Sequence, residues 1–186
     1  MLQNVITFIC GRKGTGKTTI ANKLAQKAFL SRRVIVIAPM KGFFLRGVPK
    51  YSDFTDHEAG LLRGRSLILE PQDDAAALNL INFAWLTQEN ASAPLWLFID
   101  EVDLYLSWQN PDPILLKIIR YGRHRRISLV GVTQRPANVH KDLVAQADVK
   151  ILFNTAEPND LAYLRKYANV EPAALQALQI GEYLRV

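Results

Sequence analysis

Residues 11–18 read GRKGTGKT and match in full the pattern G-x-x-x-x-G-K-[ST] of a loop that binds nucleotide phosphates. Glycines in this pattern allow backbone angles that residues with a Cβ resist, so the loop can wrap a phosphate with its N–H groups. Lys17 is predicted to reach the β- and γ-phosphates, and Thr18 to offer its hydroxyl to Mg²⁺. The sequence therefore predicts ATP and Mg²⁺ as ligands. The residues predicted to contact the nucleotide are Gly11, Arg12, Lys13, Gly14, Thr15, Gly16, Lys17, Thr18 and Thr19.

Two acidic residues, Asp100 and Glu101, directly follow an apolar run in the segment PLWLFIDE. A carboxylate at this place can hold Mg²⁺ through its water shell, and we assign this role to Asp100. Glu101 is predicted to polarise the attacking water. The alternative is a solvated loop that begins after a buried strand. A second acid here is typical of NTPases that activate water, so the pair extends the prediction from ATP binding to ATP hydrolysis.

The segment ISLVGVTQ is another apolar run, and it ends in Thr133 and Gln134. We expect its strand to lie between the phosphate loop and the acidic strand. A polar side chain at that tip can contact the γ-phosphate and sense its loss. Gln134 has this role in one interpretation, and it is only the end of a strand before a turn in the other.

Basic residues cluster just before that strand, in the segment IIRYGRHRRI. Three interpretations stay open. The cluster is a solvated basic turn, it contacts nucleic-acid phosphates, or Arg120 or Arg123 reaches the γ-phosphate of a neighbouring subunit as an arginine finger. The last interpretation requires an oligomer. His124 is expected at the surface, because no Cys, His or Asp constellation surrounds it.

Apolar runs of strand type alternate with helical patterns, which is typical of an α/β fold with a mainly parallel sheet flanked by helices. Buried strands must present the motifs described above, and helices must connect them. Strands are predicted at about residues 5–10, 34–38, 66–70, 95–99, 127–133, 149–153 and 182–186. Helices are predicted at about residues 17–30, 74–88, 113–121, 141–146 and 158–167.

The composition limits the compartment and the partners. A net charge of +6 permits nucleic-acid binding without establishing it. Cys10 is the only cysteine, and we expect it to be buried in a protein of a reducing compartment, the cytoplasm. No apolar stretch reaches the roughly 18 residues of a membrane span, and the N-terminal run is predicted to be a strand and not a signal peptide. We expect a single domain over residues 1–186.

The order of the motifs resembles the HerA–FtsK branch of the P-loop ATPases, whose members pump or move DNA. In that family, an arginine and then Gly-Arg-Lys/His precede a strand that ends in Thr-Gln-Arg/Ser-Pro, as in RYGRHRRISLVGVTQRP at residues 120–136. The resemblance implies a three-layer P-loop NTPase fold of the ASCE/RecA-like type. It also implies an arginine finger from Arg120 or Arg123. The residues that it assigns to ATP hydrolysis are Lys17, Thr18, Asp100, Glu101 and Gln134.

The chain also departs from larger members of that family. These often show Asp-Pro-x-Gly-Glu after the second strand, where this chain has APMKGFF without the acidic residue. We find no N-terminal barrel, membrane anchor or winged helix, so the chain looks most like viral genome-packaging ATPases. The resemblance implies sequence-independent binding of duplex DNA, a homo-oligomeric ring of six or five subunits, and a capsid or portal protein as a further partner. The expected location is the host cytoplasm or the virion.

Two segments combine basic or aromatic side chains in a way that suits contact with DNA. One is the loop MKGFFLRGVPK and the other is YLSWQNPDP. The alternative for the aromatic residues is packing in the core or between subunits. The candidate DNA contacts are Lys41, Phe43, Phe44, Arg46, Lys50, Tyr105 and Trp108.

Three other functions are weighed against DNA movement. The first is a morphogenesis or secretion ATPase, like those of filamentous phages, that acts on a protein substrate. The second is a small-molecule kinase, for which the arginine cluster would be a lid. The third is a nucleotide-gated assembly protein that turns over too slowly to be a motor.

Overall fold

The computed structural model describes residues 4–40, 42–54 and 64–186. Within these residues the strands are β1 (Ile6–Cys10), β2 (Arg33–Ile37), β3 (Lys50–Tyr51), β4 (Leu67–Leu69), β5 (Leu95–Ile99), β6 (Ile127–Thr133), β7 (Val149–Phe153) and β8 (Tyr183–Arg185). The α-helices are α1 (Lys17–Phe29), α2 (Asp74–Thr87), α3 (Pro113–Tyr121), α4 (Lys141–Gln146), α5 (Pro158–Ala168) and α6 (Pro172–Gln176). Short 3₁₀ turns lie at Val102–Leu104, Gly122–Arg125 and Pro136–Asn138.

The described strands form one eight-stranded sheet in the order β3-β4-β2-β5-β6-β1-β7-β8. Every neighbouring pair is parallel except β7 and β8, which run antiparallel at one edge. Parallel strands bury both faces beneath helices, so their sequences are continuously apolar. All seven residues of β6 are buried, as expected for a strand in the middle of the sheet.

Side chains alternate between the two faces of the sheet and build a core on each. In β2, Ile35 and Ile37 pack with helices α2 to α6, whereas Val34 and Val36 pack with α1. The α1 side also receives Phe43 from the loop after β2. The fold is therefore a three-layer α/β arrangement, as predicted from the sequence.

The predicted elements are confirmed to within one or two residues at their ends. Asp73 caps α2, since its side chain accepts a hydrogen bond from the Ala76 N–H at 2.9 Å. The sequence analysis missed β3 and α6, which are two and five residues long, because elements this short show no clear periodicity. Cys10 is buried as predicted, and burial raises the pKa of its thiol above the usual range.

None of the helices in residues 4–40, 42–54 and 64–186 is long and apolar enough to cross a membrane.

Two leucines of α2 give a matched test of which face carries the core. Leu80 is fully buried, whereas Leu86 is 56% exposed on the same helix. We expect Leu80→Ala to lower the free energy of unfolding by about 2–5 kcal/mol, because it leaves a cavity. Leu86→Ala should change it by less than about 0.5 kcal/mol. Urea denaturation of both variants measures the difference, and equal losses would contradict the packing of α2.

Candidate active site

The three predicted motifs meet at the carboxyl ends of adjacent strands. Strand β6 pairs with β1 on one side and with β5 on the other, as predicted for the strand that carries Gln134. The phosphate loop leaves β1 after Cys10, the acidic pair leaves β5 after Ile99, and Gln134 follows β6. Because these strands are parallel, all three motifs lie at one edge of the sheet. This edge is where open α/β sheets bind ligands.

The conformation of the phosphate loop needs glycine at both of its ends. Gly11 has φ +148°, and a Cβ there would lie 2.5 Å from the Phe153 Cβ of β7. Gly16 has φ +106° and precedes the first residue of α1. A side chain at Gly11 would therefore push the loop away from the sheet, and one at Gly16 would strain the turn into the helix.

Backbone and side-chain hydrogen bonds hold the loop in place. The Arg12 N–H donates to the Asn154 backbone oxygen at 2.9 Å, and the Thr15 hydroxyl donates to the Arg12 oxygen at 2.8 Å. The turn before β8 also touches the loop, since the Gly181 N–H donates to the Thr15 oxygen at 3.1 Å. The loop is thus fixed from β7 and β8 as well as from β1.

The N-terminus of α1 is prepared to face an anion. Asp112 and Glu157 cap α3 and α5 with their side chains, as Asp73 does for α2. In contrast, Gly16 gives α1 no side-chain cap. The first N–H groups of this helix, which form the positive end of its dipole, therefore have no side-chain acceptor at the cap position. A loop that encloses such a terminus fits the phosphates of a nucleotide.

Lys17 is the buried cation of the site. Its side chain is only 7% exposed within the chain, and its Nζ donates to the Arg12 oxygen at 2.9 Å. Burial lowers the pKa of Lys17, and the nearby charges of Glu101 and Asp100 oppose this shift. Lys17 is the first residue of α1, and its ammonium lies within the electrostatic influence of both acidic residues.

Asp100 offers an oxygen ligand for a metal ion. Its carboxyl is 6% exposed, and burial together with the charge of Glu101 raises its pKa to about 6. Within the described residues it accepts a single hydrogen bond, from the Glu101 N–H at 3.2 Å, so it keeps acceptor capacity for a cation. These residues contain no cluster of three His, Cys, Asp or Glu side chains that could hold a metal. Such a sparse donor set, Asp100 with Thr18, fits Mg²⁺, which takes most of its ligands from phosphates and water.

Glu101 and Gln134 contact each other directly. The Gln134 Nε2 donates a hydrogen bond to the Glu101 Oε1 across the gap between β5 and β6. Glu101 has a left-handed backbone, with φ 50° and ψ 51°, which is unfavourable for a residue with a Cβ. The two residues assigned to water activation and γ-phosphate sensing are therefore brought together, as their places at neighbouring strand ends predict.

The arginines of residues 120–126 divide into two groups. The Arg125 guanidinium donates to the Trp85 oxygen and pairs with Glu89, and Arg126 donates to the Ser92 oxygen. These two arginines hold the connection between α2 and β5. Their contacts are therefore made within the chain, whereas the arginine-finger prediction concerns only Arg120 and Arg123. His124 is exposed as predicted.

Arg120 and Arg123 lie at the opposite edge of the sheet from the phosphate loop. Both line one cavity with Ile6 and Ile127, the first residues of β1 and β6. The Arg120 guanidinium donates twice to the Asp142 Oδ2, at 3.0 and 2.7 Å, whereas Arg123 is exposed. A five-residue strand separates the two edges by about 17 Å, so neither arginine reaches the phosphate loop of its own chain.

Two of the candidate DNA contacts are wrong. Phe43 is 1% exposed and packs near Phe98, and Tyr105 is 4% exposed in the core beneath α2 to α6. Neither ring can stack on a base. The alternative, packing in the core, is correct for both.

The other candidate DNA contacts differ in their exposure to solvent and in their ion pairs. Phe44 and Trp108 are 67% and 61% exposed, and Arg46 is also exposed. Lys50 forms an ion pair with Glu70 at 2.6 Å. Lys41 lies outside the described residues. Among the described residues of this set, Phe44, Arg46, Lys50 and Trp108 are therefore exposed, and Lys50 is the one that is paired with an acidic residue.

The sequence analysis missed two residues that support the loop. Asn154 follows β7 at the same carboxyl edge, and its Nδ2 donates to the Gln176 and Leu178 oxygens at 2.9 Å each. A polar residue directly after a predicted strand was the signal that could have found it. Gly181 gave no signal, because its contact with Thr15 depends on how the C-terminal strand folds back.

A glycine-rich phosphate loop, an acidic pair and a polar strand tip at one edge of a parallel sheet define a P-loop NTPase. Residues 7–155 match the model of the ATPase family associated with various cellular activities (AAA), and the chain belongs to this family. Membership implies ATP hydrolysis.

Comparisons with individual proteins agree with the resemblance to the HerA–FtsK branch. A 76-residue segment is 33% identical to the probable DNA double-strand break repair helicase HerA of Methanocaldococcus jannaschii. This segment covers 39% of the chain and spans only 15% of that protein.

Two solved structures share the fold across nearly the whole chain. The genome packaging NTPase B204 of Sulfolobus turreted icosahedral virus 2, in complex with ATP-gammaS, has a TM-score of 0.80 at 22% identity, over 100% of this chain and 92% of that one. VirB4 of Thermoanaerobacter pseudethanolicus has a TM-score of 0.76 at 17% identity, over 97% and 86%. The predicted P-loop NTPase fold is confirmed.

Replacement of Lys17 tests the phosphate site. Lys17→Met removes a buried ammonium whose charge-assisted hydrogen bonds are worth about 1.5–3 kcal/mol. We expect the affinity for ATPγS to fall by about 10- to 150-fold. Lys27→Met removes an exposed lysine from the last turn of α1 and should leave the affinity unchanged. Isothermal titration calorimetry measures both, and equal affinities for the two variants would show that Lys17 does not hold the phosphates.

Proposed function

We propose that the chain is a Mg²⁺-dependent ATPase that moves duplex DNA, and that viral genome packaging is its biological setting. The observation that carries the ATPase part is the Glu101–Gln134 hydrogen bond beside the buried Lys17 and Asp100. A carboxylate oriented by an amide, next to a phosphate loop, is suited to activate water for attack on a γ-phosphate.

In this proposal the residues of the chain divide the work of hydrolysis. The N–H groups of the loop and the Lys17 ammonium bind the phosphates and offset their charge. Glu101 accepts a proton from water while the water oxygen bonds to the γ-phosphorus and the bond to the β–γ bridging oxygen breaks. Gln134 orients the Glu101 carboxylate. Thr18 and Asp100 would hold Mg²⁺, which supplies positive charge at the phosphate oxygens when bound.

The arginines support a second element of the proposal, which is a homo-oligomeric ring of six or five subunits. Since Arg120 and Arg123 lie at the amino edge of the sheet, they can act only on a nucleotide bound to another copy. Arg120 is engaged by Asp142, whereas Arg123 is exposed. We therefore propose Arg123 as the arginine finger, with Arg120 supporting the contact surface.

The DNA part of the proposal rests on other support. HerA is described as a DNA repair helicase and B204 as a genome packaging NTPase. The chain has a net charge of +6. Phe44 and Arg46 are exposed in the loop between β2 and β3, and Trp108 is exposed in the segment between β5 and α3. A motor that grips the phosphate backbone needs cationic, sequence-independent contacts of this kind. A capsid or portal protein is proposed as the partner that receives the DNA.

The role of Glu101 as the proposed general base is tested by replacing its carboxylate with an amide. We expect Glu101→Gln to bind ATPγS with unchanged affinity and to lower the hydrolysis rate by about 100-fold or more, because it removes the general base. Glu171→Gln, at an exposed glutamate, is the matched control and should hydrolyse ATP at the normal rate. If Glu101→Gln keeps full hydrolysis in a phosphate-release assay, the catalytic assignment is wrong.

The loop after β2 offers a test of DNA contact. Arg46→Ala should weaken binding to duplexes of any sequence and lower the slope of log affinity against log salt by about 1. Arg165→Ala, at an exposed arginine of α5, is the control and should leave the slope unchanged. Fluorescence anisotropy at several salt concentrations gives both slopes. A different result would favour a secretion or morphogenesis ATPase. In that case the unsubstituted chain would not bind duplex DNA measurably, and a pulldown would recover only proteins.

A further inference from the structure

Asp103 contacts the tip of β6, although the sequence analysis did not single it out. The Thr133 hydroxyl donates a hydrogen bond to the Asp103 Oδ1 at 2.6 Å. Asp103 lies two residues after Glu101, and Thr133 directly precedes Gln134. Thr133 is fully buried and Asp103 is half-buried, so the bond is sheltered from water. It joins the two segments that carry the proposed catalytic base and the proposed sensor.

The turn that carries Glu101 requires support from its surroundings. Its left-handed backbone is unfavourable for a residue with a Cβ. The 3₁₀ turn that follows is closed by the Leu104 N–H, which donates to the Glu101 oxygen at 3.0 Å. This local bond leaves the position of the turn relative to β6 open, and contacts with β6 must set it.

Strand β6 makes two such contacts with one face. Side chains at positions 131 and 133 lie on the same face of a strand. A Cβ at Gly131 would lie 2.8 Å from the Leu143 Cδ2 of α4 and 3.3 Å from the Val102 Cγ1, so this glycine leaves room for both side chains. Thr133 binds Asp103. The first contact permits a close approach of the turn, and the second fixes its place along the strand.

The Thr133 hydroxyl also fixes the backbone after Gln134. It accepts a hydrogen bond from the Arg135 N–H at 2.9 Å, so one oxygen ties the turn of Glu101 to the turn that follows Gln134. Asp160 of α5 supports the far side, because its carboxylate accepts from the Arg135 Nε and from the Ala137 N–H at 3.1 and 2.9 Å. Gln134 therefore stands between two anchored residues.

We propose that Asp103 and Thr133 are a positioning pair, which sets the separation and orientation of Glu101 and Gln134 for ATP hydrolysis. The proposal rests on the proposed ATPase function and adds residues to its site. Neither residue touches the nucleotide in this account. Loss of the pair should therefore lower kcat and leave nucleotide affinity unchanged, since misplacement of a reacting group slows the chemical step.

Four variants separate positioning from a general role in folding. Asp103→Ala and Thr133→Val remove the hydrogen bond, and we expect each to lower kcat for ATP by about 10- to 100-fold. Thr133→Ser and Asp103→Asn keep a donor and an acceptor at the same places, and they should retain kcat within about threefold. Affinity for ATPγS should stay within about twofold of the normal value in all four.

Ser128→Ala is the matched structural control. Ser128 is a buried hydroxyl of the same strand, and its Oγ accepts a hydrogen bond from the Val5 N–H at 3.1 Å at the other end of β6. This variant loses a comparable bond far from the site, so kcat should be unchanged. A fall in kcat as large as that of Thr133→Val would mean that any loosening of β6 slows hydrolysis, and it would overturn the positioning role.

The double variant Asp103→Ala/Thr133→Val tests whether the two residues act as a pair. We expect it to lose no more kcat than Thr133→Val alone, because each single variant already lacks the Asp103–Thr133 bond and Thr133→Val also lacks the bond to the Arg135 N–H. Normal kcat in Asp103→Ala, or additive losses in the double variant, would overturn the proposal. If the unsubstituted chain itself does not hydrolyse ATP, the proposed ATPase function is wrong. The rate of the unsubstituted chain therefore separates failure of the proposed function from failure of the positioning pair.

Discussion

The parallel pairing of β6 between β1 and β5 is the constraint on which the rest of the site depends. This pairing places Cys10 opposite Thr133 and Ile99 opposite Gly131, so the phosphate loop, Gln134 and Glu101 leave the sheet side by side. The pairing can bury all of β6 because helices cover both faces of the sheet. A register shift of one residue would exchange the two faces of β6 and separate Thr133 from Asp103. The site is therefore a consequence of strand order more than of any one side chain.

Much of this could be predicted from the sequence, because the signals are local. The pattern GRKGTGKT fixes a loop and the start of a helix within eight residues, and apolar runs mark the buried strands. The position of Gln134 between the phosphate loop and the acidic pair followed from the expected strand order, whereas its hydrogen bond to Glu101 was not predicted. The Thr133–Asp103 bond, the Gly181–Thr15 bond and the burial of Phe43 and Tyr105 did not follow, because each depends on segments that are distant in the chain. Aromatic residues in a predicted loop look alike in sequence whether they face solvent or the core.

The two edges of the sheet carry different parts of the proposed chemistry. In the proposed mechanism, the described groups that bind or attack the nucleotide lie at the carboxyl edge, and Arg120 and Arg123 lie at the amino edge. In this arrangement Arg120 and Arg123 can act only on a nucleotide bound to a neighbour, which would link hydrolysis to assembly. Arg125 and Arg126 instead secure the connection between α2 and β5, so the basic cluster serves folding and the proposed subunit contact at once. The arginines of residues 120–126 therefore have different surroundings, and a single interpretation of the cluster from its sequence could not describe them all.

The proposed function is ATP hydrolysis that drives the movement of duplex DNA in an oligomeric assembly. The most direct measurement is the rate of phosphate release from ATP by the purified chain, with and without duplex DNA, beside its mass by light scattering. The account predicts that duplexes of unrelated sequence raise the rate several-fold, and that activity resides in species heavier than the 21.0 kDa monomer. Full activity in a monomer, at a rate that duplex DNA does not change, would contradict it.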